Sequence, residues 1–355
     1  MRIGFLADSH FGARSDSPLF MEHFMRFYDR VFFPRMEAEG IDTIIHLGDF
    51  LDRRKFVNFL TLNTVRNGFV DRLKKSGIKM HCLLGNHDIF YKNKSEVNSL
   101  QELFSDNFII HDTPKVLEFD GLPLAMLPWI NKENEAESLK FIAEAEADIL
   151  CGHLELNGYQ VLRNTPFDGG MSADLFKRYD AVYTGHFHTR HSIGNVHYLG
   201  CPYQITMNDY GDKKGFHIFD TETREMEFVK NPHTIFTQIR YDDSAVDDTS
   251  LITVDETRIK DKFVRIIVEQ KTKPYIFEKF VDSVYSSSPH GVTIIEDMTQ
   301  VSANGDSDEV DLGEDTITII NKEIDLVQNL SDPVRLKNLV RDLYAECMAN
   351  ESVKA

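Results

Sequence analysis

The chain has 355 residues and a formal net charge of −18, with 42% hydrophobic and 27% charged residues. That is too long for one ordinary domain and has the composition of a soluble globular protein. No apolar run approaches the roughly eighteen residues that span a bilayer, and the stretch from Met1 to Asp8 is too short for a secretory signal, so an intracellular protein with no membrane partner is expected.

Cys82, Cys151, Cys201 and Cys347 are far apart and form no Cys-x-x-Cys pair, which speaks against a thiolate zinc site or a disulfide framework. The acidic balance would ordinarily argue against a nucleic-acid partner. Its distribution weakens that objection: from Tyr241 onward there are 24 acidic and 12 basic residues, net −12, leaving −6 on the first 240.

In chain order, Arg2 to Ala7 is a short apolar run ending in Asp8-Ser9-His10. Phe20 to Glu39 has helical spacing that Pro34 should kink or divide. Asp42 to Leu47 ends in Gly48-Asp49-Phe50-Leu51-Asp52, Phe59 to Lys75 reads as a helix, and Lys79 to Leu84 delivers Gly85-Asn86-His87-Asp88. Strands alternating with helices predict βαβ units and a parallel sheet. After a strand near Leu122 to Leu127 and a helix from Lys132 to Ala147, Asp148 to Cys151 ends at Gly152-His153, and Ala181 to Thr184 ends at Gly185-His186-Phe187-His188. His197 to Gly200 and Gly215 to Asp220 close this domain near residue 235. Ile235 to Tyr241, Phe263 to Glu269, Tyr275 to Ser286 and Val292 to Glu296 suggest a small α/β module. From Glu296 to Asp315 the chain carries eight acids and no bases, a solvated linker. Lys322 to Met348 has apolar residues at helical spacing broken at Ser331-Asp332-Pro333.

Singly, each polar strand end is better explained by a cap or a turn. Jointly they set carboxylates, imidazoles and a carboxamide at five strand ends of one sheet, where functional groups gather in open α/β folds. Residues two apart in a strand face the same way, so Asp8 with His10, and His186 with His188, address one volume. Burying so many polar groups together is costly without a cation.

In this order the motifs resemble the calcineurin-like metallophosphoesterase superfamily. The resemblance implies an α/β sandwich with helices flanking β-sheets, a small α/β capping domain and C-terminal helices. It assigns Asp8, His10, Asp49 and His188 to a first metal and Asp49, Asn86, His153 and His186 to a second. Asp49 then bridges, with both carboxylate oxygens in use. Ligands without sulfur suit manganese, iron, zinc or magnesium; the resemblance points to two divalent ions, manganese. His87 becomes the catalytic imidazole, Asp52 its orienting partner, and Asp88 a structural cap.

Tyr198-Leu199-Gly200-Cys201-Pro202 followed by Lys214-Gly215-Phe216 and Asp220 extends the resemblance to the SbcD-type (meiotic-recombination-eleven) nuclease family, closest to its T-even bacteriophage branch. This implies a DNA exonuclease and endonuclease in the host cytoplasm, with residues 1–235 as nuclease domain, 236–300 as cap, 301–320 as linker and 321–355 as a helical region docking on an SbcC-type coiled-coil ATPase. Leu326, Leu330, Leu336, Leu339, Val340 and Leu343 supply the docking face. Homodimers are implied too, with Phe20, Phe24, Phe27 and Tyr28 as candidate contacts. Independently, Arg14, Arg53, Arg54, Lys55, Lys92, Lys94 and Arg190 cluster beside the metal motifs, where they suit backbone phosphates. The alternative within enzymes is a phosphoprotein or small-phosphoester phosphatase, encouraged by Gly48-Asp49-Phe50-Leu51-Asp52-Arg53. A scaffold that has lost catalysis is the non-enzymatic alternative.

Overall fold

A computed structural model describes residues 1–245 and 254–296. The expected linker, the C-terminal helices with Leu326, Leu330, Leu336, Leu339, Val340 and Leu343, and Cys347 lie outside the described residues.

Two six-stranded sheets form the sandwich that the family resemblance implies, in place of the single parallel sheet read from the strand pattern alone. The first runs in the order Met226–Lys230, Gly215–Asp220, Arg2–Leu6, Thr43–His46, Lys79–Leu83, Ile109–His111. Its four strands from Arg2–Leu6 onward are parallel, and Gly215–Asp220 joins antiparallel to Arg2–Leu6. The second runs His191–Ile193, Val196–Tyr198, Ala181–Gly185, Ile149–His153, Leu122–Leu127, Lys115–Phe119. It too has a parallel centre, with antiparallel strands at both edges. The βαβ pattern had therefore identified two parallel cores and had merged them.

The strands read as continuous apolar runs because both faces are covered. Ile3, Phe5 and Ile45 alternate inward to meet Leu124, Met126 and Ile149 of the other sheet. Leu6 and Ile44 face outward into the helical layer. That layer begins with Pro18–Phe27, a π-helical turn Tyr28–Phe32, and Phe33–Ala38. Pro34 does not divide it. The ring falls in the first turn of the last segment, where a missing N–H is tolerated, and the wide turn just before it absorbs the lost hydrogen bond. Phe59–Val65, Arg66–Val70 and Asp71–Lys75 repeat the same three-part construction.

Phe20, Phe24, Phe27 and Tyr28 are at most 3% exposed, so they form the core of this layer rather than a dimer surface. Phe24 stacks on Tyr203 at 4.0 Å. Beyond residue 235, the parallel strands Phe236–Asp242, Phe263–Gln270 and Gly291–Ile295 carry the helix Pro274–Ser286. Tyr241, Ile266, Phe277 and Phe280 give this module its own core, and Phe263 stacks on Phe20 at 5.4 Å.

Candidate metal centre

The five polar strand ends converge although they belong to two sheets. Asp8, Asp49 and Asn86 leave the first sheet; His153 and His186 leave the second. The layers are joined here by the N–H of His186 donating to Asp8 Oδ1 at 2.8 Å and by His153 Nδ1 donating to the Leu47 carbonyl at 2.7 Å. Strand alternation is not what aims Asp8 and His10, because both lie beyond the end of their strand. Their φ values of 52° and 43°, with 56° at Asp49 and 91° at His186, put them in the left-handed region. Such backbone costs about 1 kcal/mol or more per residue and persists only where its surroundings hold it. Here the N–H groups of Asp8 and His10 donate to the Gly48 and Asp49 carbonyls at 3.1 and 3.0 Å. Gly85 is required because any Cβ there would collide with the Asp49 carboxylate and backbone N–H.

Two half-sites share Asp49. On one side Asp8, His10 and His188 bring their ligand atoms within 4.8 Å of one another; on the other, Asp49, His153 and His186 do the same, and His10, Asp49 and His87 form a third such group between them. Asp49 Oδ2 lies 3.6 Å from His10 Nε2 and 3.3 Å from His153 Nε2. Asn86 Oδ1 lies 2.9 Å from His153 Nε2 and 3.0 Å from His186 Nδ1. His10 and His188 face each other through Nε2 at 3.0 Å. The sequence argument used both oxygens of Asp49 as the bridge. In the structure Oδ1 accepts the His87 N–H at 2.8 Å, leaving Oδ2 to face both half-sites.

These residues fit divalent ions. Ligands about 2.1 Å from one ion and at right angles stand about 3 Å apart, which matches the imidazole and carboxamide spacings. Asp8 Oδ2 is buried with no hydrogen-bond partner. Burial alone would lower the His10 pKa, but the Asp52 and Asp49 carboxylates raise it to about 9. Burial likewise opposes the charge on His153, and Asp49 overcomes it, again to about 9. Each side of Asp49 Oδ2 thus attracts positive charge.

His87 Nδ1 donates to the backbone carbonyl of Asp52 at 2.5 Å, which leaves Nε2 for the site. Burial lowers the His87 pKa. The Asp52 carboxylate does not orient His87, as the sequence reading had it. It points instead at His10 Nδ1, 3.4 Å away. Asp88 accepts three backbone N–H groups, from Asp49 and Gly85 at 2.8 Å and from Phe50 at 3.1 Å, and so ties two of the loops together.

Residues 1–190 match the calcineurin-like phosphoesterase family. The chain belongs to that family. The phosphoesterase is also 31% identical over 315 residues to exonuclease subunit 1 of Enterobacteria phage T4, covering 87% of this chain and 89% of that protein, which bears out the resemblance to SbcD-type subunits. Among solved structures, it is similar to a novel archaeal phosphodiesterase (16% identity, 65% of this chain and 100% of that chain, TM-score 0.32). A protein of unknown function from Aquifex aeolicus is similar as well (20% identity, 43% and 80%, TM-score 0.24).

Of the basic residues that the sequence places near the site motifs of the phosphoesterase, Arg14, Lys55, Lys92, Lys94 and Arg190 are exposed, and Arg53 and Arg54 are half-buried. Several have protein partners: Arg53 pairs with Asp16 at 3.0 Å, Lys94 with Glu96 at 3.9 Å, and Arg190 lies over the Phe228 ring at 4.3 Å.

Two neighbours of the site, Trp129 and Glu155, escaped the sequence reading. Trp129 packs 5.2 Å from the His186 ring and 5.8 Å from His153, and Glu155 Oε1 lies 3.4 Å from His186 Nε2. Glu155 is two residues past His153, the only local signal it had. Buried Lys214 donates to the His188 carbonyl at 2.8 Å and pairs with Asp209. Gly200 (φ 70°) fits beneath the same turn, where a Cβ would stand 2.8 Å from the His188 carbonyl oxygen. The Tyr198-to-Lys214 motif therefore supports His188 from behind.

Proposed function

We propose that this phosphoesterase is a metal-dependent DNA nuclease hydrolysing phosphodiesters at two divalent ions, manganese by its family resemblance, as a double-strand-end exonuclease and single-strand endonuclease. The observation that carries this reading is Asp49 Oδ2, set between His10 and His153. Asp8, His10, Asp49 and His188 would hold one ion; Asp49, Asn86, His153 and His186 would hold the other. When bound, two such ions clamp the attacking and leaving oxygens of an in-line displacement. His87, fixed through Nδ1, turns Nε2 toward the phosphate to stabilise charge or hand a proton to the leaving oxygen. Asp52 holds both His10 and His87, by its carboxylate and its carbonyl.

Arg14, Arg53, Arg54, Lys55, Lys92, Lys94 and Arg190 are the candidate contacts to DNA phosphates. The name of the T4 relative, a subunit, supports an assembly. In our reading residues 1–235 form the nuclease domain, 236–300 the cap and 301–320 a linker, and 321–355 bind an SbcC-type ATPase in the host cytoplasm. The nuclease domain pairs with a second copy through Phe56, Phe59 and Leu60, which are 63%, 86% and 63% exposed, in place of the buried Phe20 set. No helix among the described residues is long and apolar enough to cross a membrane.

The test is degradation of linear DNA with Mn2+, using Asp8→Ala and His87→Ala as controls. Both variants should lose cleavage. Efficient hydrolysis of a small aryl phosphate with DNA left intact, with or without the ATPase, would overturn the nuclease reading in favour of a phosphatase. Removing residues 322–355 should abolish ATPase binding and spare basal cleavage.

A further inference from the structure

The histidines of the two half-sites are held from behind in different ways. His153 is fixed by the Leu47 carbonyl, and His10 has the Asp52 carboxylate 3.4 Å from Nδ1. His186 turns Nδ1 to Asn86 Oδ1 at 3.0 Å, and its other nitrogen, Nε2, lies 3.4 Å from Glu155 Oε1. We infer that Glu155 is the positioning residue of the second half-site: its carboxylate keeps the His186 proton on Nε2 and leaves the Nδ1 lone pair for the ion, an inference that rests on the two-ion reading above. With the proton there, Nδ1 and Asn86 Oδ1 are both acceptors, and two acceptors so close repel unless a cation lies between them.

Three observations carry this role. Glu155 stands two residues beyond His153, so one short segment supplies one ligand and the carboxylate behind another. Its backbone is fixed without help from its side chain: the Leu154 N–H donates to Thr184 Oγ1 at 2.9 Å, the Leu154 carbonyl accepts the Tyr198 hydroxyl at 2.9 Å, and the Glu155 carbonyl accepts the Met171 N–H at 2.9 Å. Gly170 lies against that carbonyl, where a Cβ would stand 2.4 Å from its oxygen. Second, the His186 ring is confined, with the Trp129 ring at 5.2 Å and the Phe187 ring at 5.0 Å. Its orientation is thereby limited, and what a partner at Nε2 still sets is which nitrogen carries the proton. Third, an ion pair between two exposed side chains would contribute little. Here the His186 side chain is only 15% exposed, and Glu155, at 36%, reaches it from the solvent edge. The arrangement repeats that of Asp52 and His10 across Asp49: in each half-site one carboxylate from outside the ligand set stands behind one histidine.

The experiment is a Mn2+ titration of the full-length protein by calorimetry, with Trp129 emission followed in parallel to report the second half-site. Carboxylates behind metal-binding histidines contribute about 10–100-fold in affinity, and the exposure of Glu155 puts it at the lower end. Glu155→Met should therefore weaken the second ion about ten-fold, keep the first within about two-fold, and leave the urea midpoint of metal-free protein unchanged. Glu155→Gln keeps an acceptor oxygen at the same reach and should recover part of the loss, binding the second ion about three-fold more weakly than wild type. Equal weakening of both ions, no change in either, or weakening matched by a lower urea midpoint in both variants would overturn the positioning role and leave the two-ion reading intact. Loss of the second ion in Glu155→Gln as complete as in His186→Ala would make Glu155 a ligand and overturn it as well. Wild-type protein that binds fewer than two Mn2+ per chain would sink both readings.

Discussion

The carboxylate of Asp52 lies 3.4 Å from Nδ1 of His10, while its backbone carbonyl accepts Nδ1 of His87 at 2.5 Å. One residue thus orients two imidazoles through different atoms, and only the first contact depends on the side chain's charge. Carboxylates behind metal-binding histidines typically contribute 10–100-fold in affinity. Asp52→Asn is therefore expected to raise the Mn2+ concentration needed for half-maximal hydrolysis by about that factor, with a rate at saturating metal within a few-fold of wild type. A saturating rate as low as that of His87→Ala would show that the carboxylate acts through His87 instead.

The chain has one tryptophan, and it packs against both histidines of the second half-site. Mn2+ should accordingly quench Trp129 emission. His87→Ala is expected to keep this quenching while losing cleavage, because its imidazole is assigned no ligand role. Asp49→Ala should lose both. Loss of quenching in His87→Ala would mean that His87 helps to hold metal.

Asp88 stands beside a proposed ligand pair without facing the half-sites. Its three accepted N–H groups would be left buried and unpaired by Asp88→Ala. An unsatisfied buried donor costs about 1–3 kcal/mol, and three sharing one acceptor do not sum independently. Urea denaturation of metal-free protein should show a loss of about 3 kcal/mol. A loss below about 1 kcal/mol would remove Asp88 from the scaffold of the site.

His217 lies on the Gly215–Asp220 strand of the first sheet, opposite Phe228 on the neighbouring strand, where burial, with Arg190 and His197 adding to it, lowers its pKa to about 3. The unfolded chain takes up this proton near pH 6.5 and the folded chain does not. Stability from this group is therefore unaffected above pH 6.5 and falls by about 1.4 kcal/mol per unit as pH drops from there toward 3. His217→Phe should flatten the pH dependence of urea stability between pH 6 and 4 by about one proton. An unchanged slope would mean that His217 is protonated in the folded protein.

What the sequence determined by itself was local. Apolar runs broken by glycine and followed by Asp8, Asp49, Asn86, His153 and His186 are short enough to be complete in a few residues each, and so were the helices and the capping role of Asp88. Partnership was beyond it. Gly215–Asp220 pairs with Arg2–Leu6 across more than two hundred residues, and nothing in either run says that the two sheets are separate. The apolar period of Phe20, Phe24 and Phe27 records that they are buried, not whether their own core or a second copy buries them. The left-handed turns at Asp8 and His10 and the Asp52 carboxylate facing His10 were decided only when distant segments packed. Hydrophobic patterning specifies how much of each segment leaves water. The direction in which a polar side chain then points depends on what the rest of the chain brings against it.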